Sequence, residues 1–85
     1  MVFTRELVVG FARELTITMT RAEALVLFEF LARYDESEKL DIQDPAEEFA
    51  LWQVHGAFER VLVEPFEADY RERLEAARET VRRAH

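Results

Sequence analysis

Apolar and polar residues alternate in the first part of the chain and then fall into a helical spacing. Leu15-Thr16-Ile17-Thr18-Met19 switches apolar to polar at every step and is rich in β-branched residues. That pattern predicts an extended or β segment over 14–19. Upstream the signals conflict. Phe3, Leu7, Phe11 and Leu15 recur every four residues, as on a helix. Yet Leu7-Val8-Val9 is β-prone, and Gly10 would cost a helix about 1 kcal/mol relative to alanine. The reading adopted is a strand within 3–11, paired with 14–19 through a turn around Gly10 to Arg13. A lone two-stranded ribbon is marginal in water, so it must pack on helices or meet a second chain.

Three helices follow. Thr20-Arg21-Ala22-Glu23 is a capping box, in which the Thr20 hydroxyl accepts from the Glu23 N–H and the Glu23 carboxylate reaches back. It opens a helix over about 20–34, with Ala24, Leu27, Phe28, Leu31 and Tyr34 as its main stripe. Leu25, Val26, Phe30 and Ala32 carry apolar character almost all the way round, which predicts the central, most buried helix. A polar stretch from Asp35 to Gln43 comes next, with Leu40 and Ile42 expected to anchor it to the core. Asp44-Pro45-Ala46-Glu47 then places Asp at the N-cap, Pro at the first turn and Glu three residues on, opening a helix over about 45–63. Pro65 ends it. The last helix, about 67–84, has one apolar stripe of Phe66, Tyr70, Leu74, Ala77 and Val81. The fold expected is mainly α, a three-helix single domain spanning 1–85 with a short N-terminal extended segment.

The middle helix has two apolar faces. Leu51, Val54, Phe58, Val61 and Leu62 form one; Phe49, Trp52, Gly56 and Val63 form another, within about 60° on a helical wheel. A surface helix needs only one such face. The second is covered either by residues 1–19 or by another molecule. Gly56, set among bulky neighbours, makes a notch where a second backbone can approach. Glu48, His55 and Glu59 lie within about 40° of one another beside Trp52 and form a titratable edge to this patch.

Composition narrows the function classes. The chain has 85 residues, no cysteine, and a net charge of −7. Disulfides, thiolate metal sites and a cysteine nucleophile are excluded. Residues 1–64 hold thirteen acids against six bases, whereas 65–85 is balanced at five of each. An acidic body disfavours nucleic acid, and the arginines of the last helix each have acidic neighbours. No apolar run is long enough for a membrane span, and Arg5, Glu6, Arg13 and Glu14 break up any signal-peptide core, so a cytoplasmic protein is expected. The acidic loop starting at Asp35 fails as a calcium loop, with Leu40 where glycine is required and Ala46 in place of the bidentate glutamate. Ser37 lies between two glutamates, which disfavours an alkoxide nucleophile. No cofactor or metal is implied.

These features predict a non-enzymatic interaction or regulatory module. It would self-associate as a homodimer, or bind another protein, through Phe49, Trp52, Gly56, Val63, Glu48, His55 and Glu59. One alternative is a small acidic inhibitor of the antitoxin or immunity type, with a basic partner. Another is a small metal-dependent or acid/base enzyme using Glu48, His55 and Glu59, which lacks the third or fourth ligand such a site needs.

Overall fold

The computed structural model describes residues 13–37 and 40–85. Three α-helices run in order, α1 Arg21–Ser37, α2 Pro45–Val61 and α3 Tyr70–Ala84, with a 3-10 turn Glu64–Phe66 between the last two. No strand occurs among the described residues, and 14–19 belongs to no regular element. The expected strand within 3–11, with most of its turn, lies outside the described residues.

Local chemistry explains where each helix starts. At α1 the Thr20 N–H donates to Glu23 Oε1 at 2.8 Å and the Glu23 N–H donates to Thr20 Oγ1 at 3.1 Å. At α2 the Asp44 side chain accepts from the Ala46 N–H at 2.8 Å, while Glu47 Oε1 accepts from the N–H groups of Asp44 at 2.9 Å and Gln43 at 2.6 Å. Each arrangement satisfies amides that have no partner inside the helix.

The end of α2 differs from expectation. The backbone turns extended at Leu62, with φ −94° and ψ 132°. A continued helix would require an N–H at residue 65 for the Val61 carbonyl, and proline has none. Leu62, just past the helix, is only 3% exposed and joins the core. Val63 therefore does not ride on the helical face with Phe49 and Trp52, and Phe66 falls in the 3-10 turn, 78% exposed, instead of opening the stripe of α3.

α1 is the central element and packs against both α2 and α3. It carries Ala24, Leu25, Phe28, Leu31 and Tyr34, five of the eight buried apolar residues among those described; the others are Leu62, Leu74 and Ala77. Leu25 takes a place in the core that the expected stripe gave to Leu27, which is half-buried. Phe30 remains 41% exposed in a groove between α1 and α3. Leu40, expected as an anchor, is 38% exposed, and Ile42 is half-buried. Asp41 and Gln43 beside them are exposed, and neither apolar side chain is drawn fully into the core.

Two polar ties brace the packing. The Tyr70 hydroxyl of α3 donates to Glu29 Oε2 of α1 at 2.7 Å, and desolvation together with that carboxylate pushes the phenol pKa up. Arg21 makes a forked contact with Glu64, at 2.7 and 3.0 Å from one guanidinium nitrogen to the two carboxylate oxygens. This holds the Glu64 carboxyl below its ordinary pKa.

Two outcomes test this account. Leu74→Ala should lower the unfolding free energy by about 2–5 kcal/mol, and Val61→Ala by less than about 0.5 kcal/mol, both read from urea denaturation. Arg21→Ala should cost at most about 1 kcal/mol near neutrality, because the pair is partly solvated. Glu64 has a depressed pKa when folded, so its contribution is present above the unfolded value of about 4.3 and is lost as pH falls through the folded value. The gap between wild type and Arg21→Ala should therefore close in acid.

Candidate functional site

α2 carries six of the seven residues of the expected site, and Val63 lies beyond its end. No residue of this helix is fully buried. Leu51, His55 and Phe58 lean half-buried towards α1, and the two flanks on either side of that line are exposed. On one flank Phe49 and Trp52 touch, their ring centroids 5.5 Å apart and tilted by 53°, although they remain 59% and 50% exposed. On the other flank Val54 and Val61 are 40% and 62% exposed.

Trp52 is held at its inner edge. It closes, with Leu31, Tyr34, Leu51 and His55, around a gap of about 10 Å³. That is no more than a single water requires. The ring is thus seated on the core while its outer edge faces solvent. Gly56 lies half-buried in the same helix, and a Cβ built there would meet only a guanidinium nitrogen of Arg60, at 3.8 Å. Apart from that arginine, no described segment comes within 4 Å of that Cβ position. Residues 17–19 run along the opposite flank instead, beside Ala57, Phe58 and Val61.

The titratable edge is only partly assembled. His55 Nε2 lies 3.6 Å from Glu59 Oε1, and the imidazole side chain is 18% exposed against 54% for the carboxylate. The imidazole packs on Phe28 with ring centroids 4.9 Å apart, and its Nε2 is buried with no hydrogen-bond partner. It acts here chiefly as a flat core side chain. Glu48 is half-buried on the same helix. Among the described residues no three histidine, aspartate or glutamate side chains gather closely enough to hold a metal ion. The Glu48, His55 and Glu59 arrangement is therefore not a ligand set in this structure. No described helix is long and apolar enough to cross a membrane.

Four of the five arginines of α3 are tied to carboxylates of their own segment. Arg73 meets Asp69 at 2.7 Å, Arg78 meets Glu75 at 2.6 Å, and Arg82 and Arg83 share Glu79 at 2.9 and 2.7 Å. Both partners lower the Glu79 pKa. Such exposed pairs form a solvated face and leave little free positive charge for a polyanion.

The exposed Val54–Val61 flank was missed as a surface, because the wheel assigned those residues to the buried face. Their offset of about 60° to one side of Leu51 and Phe58 is the available signal. No protein-family model, curated protein or solved structure matches this chain.

His55→Leu should raise stability by about 1 kcal/mol, since it removes a buried nitrogen that lacks a partner. The urea midpoint reads this out. A loss of stability would show that the imidazole makes a favourable polar contact after all.

Proposed function

We propose that this protein is a non-enzymatic interaction or regulatory module that self-associates through the outer flank of α2, centred on Phe49 and Trp52. The observation that carries this reading is the exposure of two touching aromatic rings, 59% and 50%, on a helix already seated on its core. Fully burying an aromatic side chain of this size contributes roughly 1.5–3 kcal/mol, so covering the exposed halves favours association by about half as much per ring. Tryptophan in a rigid, partly desolvated setting is also the residue type that most often dominates a protein contact. The inner edge of Trp52 is already fixed, so little side-chain freedom is lost on docking.

Gly56 and the acidic edge complete the surface. The open notch at Gly56 admits the close approach of a second backbone. Glu48 and Glu59 border the patch, and in a two-fold contact they stay at its wet rim, where like charges are screened. In a two-fold contact the same patch serves both copies.

Static light scattering on the wild type and on Trp52→Glu tests the reading. The substitution should lower the apparent mass at micromolar concentration, whereas an unchanged mass would reject this flank as the contact. Gly56→Ala gives a second check. Alanine fits the space within the chain and should stabilise the helix by up to about 1 kcal/mol. It should nevertheless weaken association, because the methyl group fills the notch.

A further inference from the structure

Residues 14–19 form a second surface with its own logic, independent of the aromatic flank. The segment is exposed throughout. Leu15 is 84%, Ile17 71% and Met19 40% exposed. No backbone N–H or C=O of 14–19 hydrogen-bonds to a described residue. Ile17 and Met19 line an open groove with Ala57, Phe58 and Val61, on the side of α2 away from Trp52. The alternation of side chains is that of a strand, and the ladder it calls for is missing from the described residues.

We propose that residues 14–19 pair antiparallel with the same residues of a second copy of this chain, about a two-fold axis at Ile17. The register follows from symmetry. Ile17 faces Ile17 of the second copy, Leu15 faces Met19, and Thr16 faces Thr18. Apolar side chains then meet only apolar ones on one face, and threonines meet threonines on the other. Both are favourable cross-strand pairs. The apolar face extends the groove beside Val61, which is 62% exposed. Main-chain hydrogen bonds give such strand addition its affinity.

The sequence upstream is a poorer match for this strand. Every hairpin that turns within 10–13 sets Arg5 or Glu6 opposite Leu15, Ile17 or Met19; the best of them, turning at 11–13, sets Leu7 opposite Ile17 and Val9 opposite Leu15 but Arg5 opposite Met19. Each register puts a charge against the apolar row. The two-fold register puts none.

The chain has no cysteine, so disulfide trapping reports the register directly. Opposed residues in an antiparallel pair have Cα atoms about 4.5–5.5 Å apart, inside the roughly 4.4–6.8 Å window of a disulfide. Thr16 and its own copy are diagonal, about 7–8 Å apart, and out of reach. Under a glutathione redox buffer, full-length Ile17→Cys should form a covalent dimer, doubling the mass on non-reducing electrophoresis. Thr16→Cys should remain monomeric. An equimolar mixture of Leu15→Cys and Met19→Cys should cross-link where either alone does not. The Ile17→Cys dimer should also persist in a Trp52→Glu background, which separates this contact from the one on the aromatic flank. Absence of the Ile17→Cys dimer, or equal cross-linking of Ile17→Cys and Thr16→Cys, would overturn the pairing. So would disulfide closure within single chains of the double variant Arg5→Cys/Ile17→Cys, which would place the strand's partner in the same molecule.

Discussion

The structure depends on one constraint: α1 is apolar around most of its circumference and has to be covered from more than one side. A helix of this kind cannot lie on a surface. α3 covers one side with Leu74 and Ala77, its only buried residues. α2 lies along another with no fully buried residue of its own, and Leu62 seals the join just beyond its end. The core cluster of Ala24, Leu25, Phe28, Leu62, Leu74 and Ala77 is therefore built mostly from α1 and α3. α2 contributes an edge.

The leaning position of α2 has consequences on both of its flanks. A chain of 85 residues buries only about 60–65% of its unfolded surface, and among the described residues α2 holds part of the shortfall. Phe49 and Trp52 stand on one flank, and Val54 and Val61, with Ile17 and Met19 nearby, on the other. Had α2 been inserted between α1 and α3, one of these faces would have been consumed in the core. Its peripheral seat leaves both exposed. The polar ties do not alter this balance. Arg21–Glu64 and Tyr70–Glu29 brace α1 against its neighbours, and the ion pairs of α3 are intrahelical and wet.

Much of the architecture was legible from local chemistry. Both capping boxes form as the spacing of Thr20 with Glu23 and of Asp44 with Glu47 required. The central place of α1 followed from its apolar circumference. The misreadings share a physical cause. Periodicity describes a helix as if it ran on unchanged, so Val63 and Phe66 were placed on helical faces that the chain had already left at Leu62 and the 3-10 turn. Likewise, a wheel groups residues by angle but does not say which angle meets a neighbour. Val54 and Val61 shared an apolar sector with Phe58, yet only Phe58 turns far enough towards α1 to be half-buried. His55 was singled out for its chemistry, whereas its contact with Phe28 puts it to use as packing.

Sequence alone determined the elements, because caps, proline and apolar period act within a few residues of one another. It also determined that α2 carries more apolar surface than one core contact can use, and that residues 14–19 alternate as a strand does. Only the tertiary structure decided which of those apolar residues stay in water. That choice depends on the angle at which α2 meets α1, and the angle is set by the fit of Leu51, His55, Phe58 and Leu62 against a separate helix, as where His55 meets Phe28. No local pattern encodes such a fit, since it depends on the shapes of both partners at once.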